Sequence, residues 1–373
     1  MKSLGSLPDG LRLERMRSSP LWHGGGFRNV HPILPRLLEP RVPMPTVREF
    51  LFGGDRRVPK GPLPSQDPRD TWAKRARTGL RATWLGHSTV LLEIDSVRVL
   101  TDPVWGSRAS PWQWAGPKRF QPVPVPITAL PRLDAVIISH DHYDHLDYTT
   151  IRALARRDVP FITSLGVGAH LEAWGVPAAR ITELDWWESY SHPNVDLTVT
   201  ATPSQHFSGR GLRSRDSTLW SSLVVRSRRH AVFFSGDTGL TTEYAAIRER
   251  LGPFDLVMLE VGAFHAAWGH IHLGPENALE AWSLLGNSAF LPVHWGTFSL
   301  AMHAWDEPAE TLLALAPKLG VPLVMPRLGE PVEPSRVERV EPWWRTVERA
   351  AAPAATGRSP PPRVPKTLRW PMD

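Results

Sequence analysis

Cysteine is absent from the 373 residues. That excludes disulfides and every thiolate metal site, and it leaves His, Asp and Glu as the ligands on offer to a transition metal. It says little about redox compartment, because a cytosolic protein need not use thiols. Long hydrophobic runs are missing as well: no stretch approaches the roughly 18 consecutive apolar residues that a transmembrane helix needs. Met1 to Arg28 mixes charges with glycines and lacks a secretory apolar core. No signal peptide is read there, so the expected address is cytoplasmic, with peripheral contact at the membrane face left open. No Gly-x-Ser-x-Gly nucleophile elbow occurs, and no basic segment interleaved with aromatics marks a nucleic-acid partner.

What is present begins with charge. The chain carries 43 Lys/Arg against 37 Asp/Glu, a formal +6, and it is unevenly spread. Residues 1–81 hold 16 basic against 7 acidic side chains, residues 349–373 hold 5 against 1, and residues 82–348 hold 22 against 29. An acidic body with basic ends suits a metal-holding core whose flanks face phosphate or membrane. Solvated arginine-rich ends account for the same distribution equally well. A hydrophobic share of 42% is enough to build a substantial core.

The first 79 residues are rich in proline and arginine, with segments such as His31-Pro32-Ile33-Leu34-Pro35. They read as an extended arm that packs on the core, with regular structure expected from about Leu80. Ala82–Leu85, Thr89–Ile94 and Val97–Thr101 are β-rich runs, and Asp95-Ser96 is a turn between two of them. Ala135–Ser139 is a continuous apolar run, which suits a strand buried on both faces. Beyond it strands and helices alternate to about residue 350, an α/β pattern. Residues 351–373, with Pro360-Pro361-Pro362, read as a disordered basic tail.

Ser139-His140-Asp141-His142-Tyr143-Asp144-His145 follows directly on the apolar run. Its histidines and Asp144 cannot share one regular helix face, but they converge if the strand ends and the chain turns tightly. Imidazole nitrogen and carboxylate oxygen are what zinc and similar ions accept, and two such ions need about seven protein ligands. The cluster supplies His140, His142, Asp144 and His145. His206, Asp237 and His294 each stand at the end of a later β-run. A lone histidine is more often an ordinary core or surface residue; these three gain force from their shared strand-end context.

The cluster, the order of the later ligands and Thr101-Asp102-Pro103 resemble the metallo-β-lactamase superfamily. The resemblance narrows to the N-acyl-phosphatidylethanolamine-hydrolysing phospholipase D family and its bacterial relatives. Trp84–Thr89, Gly116-Pro117-Lys118-Arg119-Phe120, Leu184-Asp185-Trp186-Trp187-Glu188, Gly236-Asp237-Thr238-Gly239 and His294-Trp295-Gly296-Thr297-Phe298 carry it, across roughly residues 80–300. It implies an αββα sandwich. One metal would sit on His140, His142 and His206, the other on Asp144, His145 and His294, with Asp237 bridging. Asp102 would orient a ligand imidazole from behind. His272 matches a histidine this family keeps near the metals, as a substrate or leaving-group contact; otherwise it simply opens the next helix. Asp144 or Asp237 would position the attacking hydroxide. Zinc is the default pair of ions, with manganese or iron open.

The resemblance implies a phosphodiesterase of the phospholipase D type, acting on N-acyl-phosphatidylethanolamine or a related glycerophospholipid through a metal-bridging hydroxide. The 17 tryptophans suit interfacial membrane contact or ordinary core packing. The short, small stretch Ala263–Gly269 replaces a bulkier aromatic loop of the animal enzymes, which puts the substrate in question. A lactonase or esterase acting on a small soluble substrate is the rival enzyme. A non-catalytic metal-bound binding protein is the rival of another class. A homodimer stays open.

Overall fold

The computed structural model describes residues 2–31, 56–211, 214–265, 268 and 270–347. The segment expected to be a plain arm carries regular structure of its own. A helix spans Gly10–Arg17, and Trp22–His23 (β1) pairs antiparallel with Gly26–Phe27 (β2) around Gly24-Gly25. The helix lacks a sequence signature because tertiary contacts hold it. Arg12 pairs with Glu172 and Glu183 at 2.6 Å each, and Met16 is fully buried with Phe27, Leu165, Leu219 and Trp220. Residues 2–31 are anchored at both ends, through Trp174 Nε1 to Lys2 O and through Gln205 Nε2 to His31 O. The expected disordered tail, residues 351–373, lies outside the described residues.

From Leu80 the β-rich runs form a meander: Leu80–Gly86 (β3), Thr89–Ile94 (β4) and Val97–Thr101 (β5). Asp95 and Ser96 turn the second hairpin with φ of 48° and 77°, the left-handed pair that matches strand twist in a two-residue loop. Ala135–Ile138 (β6), Phe161–Ser164 (β7) and Ile181–Leu184 (β8) continue the sheet in parallel. The second sheet holds Ser189–Ser191 (β9), Thr198–Thr202 (β10), Ser222–Arg226 (β11), Ala231–Phe234 (β12), Leu256–Glu260 (β13) and Ala289–Val293 (β14). Pro331–Val332 (β15) closes the edge of the first sheet against β3. The orders are β15-β3-β4-β5-β6-β7-β8 and β14-β13-β12-β11-β10-β9.

Inward side chains of both sheets share one core, with Val90, Leu92 and Val99 on one side and Val199, Leu223 and Val225 on the other. Helices cover the outer faces. Ile151, Leu154 and Leu171 of Tyr148–Leu154 and Gly168–Ala173 pack on the first sheet. Ile247, Leu279 and Leu312 of Glu243–Leu251, Gly274–Leu285 and Glu307–Leu319 join the core from the second. The architecture is therefore the expected αββα sandwich. Among the described residues no helix is long and apolar enough to cross a membrane.

Candidate metal centre

The strand ends decide the site. Asp102 follows β5, Ser139 to His145 follow β6, His206 and Asp237 lie beyond β10 and β12, Glu260 ends β13, and His294 follows β14. All of them reach one rim. The loop after β6 turns at once, with His145 N and Leu146 N both donating to His142 O. Its far end is pinned where Asp147 caps the helix Tyr148–Leu154 through Thr150 N.

Two donor sets result. In the first, His140 Nε2 and His142 Nδ1 face each other at 2.9 Å, His206 Nε2 lies 3.2 Å from His142 Nδ1, and Asp237 Oδ2 is 3.7 Å from His206 Nε2. In the second, Asp144 Oδ2 lies 3.5 Å from His145 Nε2 and 3.3 Å from His294 Nε2. Asp237 Oδ1 is 3.1 Å from each of those two nitrogens. One carboxylate thus offers one oxygen to each set. Asp237 Oδ1, His145 Nε2 and His294 Nε2 are buried without hydrogen-bonding alignment to any partner. Buried polar atoms are rarely left so, and lone pairs aimed at a common point fit a cation better than they fit one another. The residues present therefore suit two divalent ions.

The surroundings fix the orientation of the donors. Asp102 Oδ2 accepts from His145 Nδ1 and from Ser139 Oγ, both at 2.6 Å, and Ser139 Oγ also meets His140 Nδ1 at 2.9 Å. His206 Nδ1 donates to Ile271 O. Each contact turns the opposite ring nitrogen toward the centre. His87, Asp102 and His294 all hold left-handed φ, at 53°, 31° and 67°. Such backbones cost about 1–3 kcal/mol each and persist only where the surroundings over-determine them. Here Trp84 Nε1 and His294 N both donate to His87 O, and His87 N donates to Thr297 Oγ1.

Electrostatics separates the imidazoles. Burial holds His140 and His206 well below the ordinary range, helped by neighbouring imidazoles, and pushes His87 down to about 3. At His145 and His294 burial acts in the same direction, but Asp237 and Asp144 outweigh it. His145 ends well above its usual value and His294 rises to about 10. Burial would raise Asp144 and Asp237, yet His145 and its neighbours hold both well below the usual carboxylate range.

All seven expected ligands come together at this rim, with Asp102 behind them. His272 is brought in beside them, its ring 5.1 Å from His206 and 5.6 Å from His294. Two further residues join the site without a sequence expectation. His87, on the turn between β3 and β4, puts Nε2 3.0 Å from Asp144 Oδ2. Glu260, wholly buried, accepts from His272 Nδ1 at 2.9 Å and from Thr238 N and Leu273 N. Burial lowers His272, but Glu260 prevails and its pKa is raised. A signal exists for both: a histidine at a β-turn, and a carboxylate ending the apolar run Leu256–Leu259. Beside His294 a narrow cleft is lined by Phe120, Phe298, Leu300 and Trp305, with Arg57 and His303 among them.

The beta-lactamase superfamily domain model matches residues 97–295. The chain is 46% identical over 332 residues to an uncharacterized protein of Mycobacterium tuberculosis, with 88% of each chain covered. It is 37% identical over 252 residues to N-acyl-phosphatidylethanolamine-hydrolyzing phospholipase D 1 of Caenorhabditis elegans, covering 64% of this chain and 70% of that one. Among solved structures, a metallo hydrolase from Ignicoccus hospitalis aligns with a TM-score of 0.53 at 22% identity, covering 68% of this chain and 97% of that chain. That last likeness is one of fold.

Proposed function

The chain belongs to the metallo-β-lactamase superfamily of metal-dependent hydrolases, and from that premise we propose a two-metal phosphodiesterase of the phospholipase D type. Its substrate is an N-acyl-phosphatidylethanolamine or a related glycerophospholipid. The observation that carries the reading is the divided Asp237 carboxylate, one oxygen toward each nitrogen set. The substrate class is supported by the likeness to the Caenorhabditis elegans phospholipase D.

His140, His142 and His206 would hold one ion and Asp144, His145 and His294 the other, with Asp237 shared. Two divalent ions held there, zinc by default, would supply Lewis acidity at a phosphoryl oxygen and acidify a water. The rest is done by side chains. Asp102 keeps His145 turned inward through Nδ1. Glu260 fixes His272 through Nδ1, which leaves Nε2 of the protonated ring to give its proton to the departing head-group oxygen. The apolar side chains of Phe120, Phe298 and Trp305 line the cleft beside His294 and would keep water from that side of the centre. Oxygen from water ends on phosphorus, the P–O bond to the head group breaks, and the alcohol leaves with the proton of His272.

Turnover in ¹⁸O-water tests this. Phosphatidic acid should carry the label and the released alcohol none. Label in the alcohol, or a free fatty acid as product, would mean attack at carbon and an esterase. Preference for a lactone panel over bis-p-nitrophenyl phosphate would favour a lactonase.

A further inference from the structure

The loop after β5 exposes two tryptophans that no core absorbs. Trp112 is 42% and Trp114 79% exposed, with their rings 6.0 Å apart. The N-terminal segment lies against this loop, since Ser3 Oγ donates to Pro111 O at 2.8 Å, and it brings Leu4 and Leu7, 39% and 54% exposed. Large apolar side chains clustered at a surface mark an interaction face.

The face belongs to the rim of the metal centre. Ala109, from the same loop, packs with Phe298 and Tyr143, and Tyr143 lies between His142 and Asp144. Arg210 ties the pieces together, donating to Ser3 O through Nη2 and to Asp141 O and Leu146 O through Nη1. The same loop carries Arg108 and Lys118, and Lys2 precedes Ser3 in the segment that lies against it. Arg108 spends its donors on the carbonyls of Gln113 and Gly116, and among the described residues none of the three cations has an ion-pair partner.

We propose that this rim, centred on Trp112 and Trp114, docks the protein on an anionic lipid bilayer with the metal centre facing the membrane surface. Tryptophan settles at the boundary between head groups and acyl chains, and unpaired cations draw that face toward anionic lipid. The other occupants fit less well. Residues 349–373 carry five basic side chains to one acidic, so this tail has the sign of the rim. A second copy would set one basic rim against another. The proposal deepens the lipid-substrate reading, on which its purpose rests.

The test is co-sedimentation of the full chain with vesicles of phosphatidylcholine alone or mixed with phosphatidylglycerol. The parent should bind the mixed vesicles and lose them as salt rises. Trp112→Ser/Trp114→Ser should partition about tenfold more weakly, with melting temperature, metal content and hydrolysis of bis-p-nitrophenyl phosphate unchanged. Lys118→Glu should weaken binding to the mixed vesicles alone. Undiminished binding by the double variant, or equal parent binding to neutral and mixed vesicles, would overturn the proposal. So would a parent dimer in sedimentation velocity that becomes monomeric in the double variant. Vesicle binding without head-group release from any lipid would leave the docking face standing and remove the lipid substrate instead.

Discussion

At the scale of single residues, Asp237 has one oxygen in each donor set, so no substitution there can damage one set alone. Asp237→Ala should therefore lose turnover and lower metal content from two ions toward one or none, read by elemental analysis; two retained ions would refute the shared carboxylate. His87 acts differently. Its Nε2 meets Asp144 Oδ2, the oxygen turned toward His145 and His294, at the edge of the second set. Removing a partner of a ligand carboxylate typically costs about 10–100-fold in metal affinity. His87→Ala should weaken one of two binding steps in a zinc titration by that factor and leave the other. His272→Ala should keep both ions and lower kcat by about 10²-fold or more on an alkyl phosphodiester. The loss should be much smaller on a p-nitrophenyl ester, whose leaving group needs no proton, and a His272 variant that loses metal would make it a ligand. The seven donors were legible because six consecutive residues hold four of them and the others end β-runs. His87 and Glu260 were not, because each takes its meaning from a partner set beside it by folding, 57 residues away for His87 and Asp144.

At the scale of elements, the core strands were legible wherever composition alone makes a strand: the β-branched meander, its Asp95-Ser96 turn and the all-apolar β6. The helix Gly10–Arg17 was not, since it is arginine-rich and its stability comes from Glu172, Glu183 and a pocket for Met16. Cβ atoms added at Gly166 would meet the Met16 side chain at 3.0 Å, so the pocket is closely filled. Met16→Ala should cost about 2–5 kcal/mol, the usual range for truncating a buried methionine to alanine. The readout is a lower denaturant midpoint at unchanged slope. A midpoint equal to the parent's would mean that the N-terminal segment is an appendage. Asn29 extends the same clamp toward chemistry: its Nδ2 donates to His206 O while its Oδ1 accepts from His206 N and Trp220 Nε1. Loosening the segment should thus lower activity before it unfolds the sandwich.

For the whole molecule, the donor sets join what the chain otherwise builds separately. His140, His142, Asp144 and His145 hang from the first sheet, while His206, Asp237 and His294 hang from the second. Bound ions would therefore tie the two sheets together at their common rim, and Asp102, Asp237 and Glu260 are buried there, with Asp144 beside them. Without cations Asp144 and Asp237 face imidazoles, and burial keeps His140 and His206 beside Asp237 neutral. Metal removal should then weaken the global fold as well as the site. A ligand at a thousandfold excess over its dissociation constant stabilises by about 4 kcal/mol per site. In a chain of this size two such sites correspond to a shift of about ten degrees in the melting temperature. Calorimetry with and without chelator is the measurement: one cooperative transition should move down on metal removal and return when zinc is restored. A transition that stays in place, with activity lost, would mean that the ions serve chemistry alone and that sheet packing stabilises the sandwich without them.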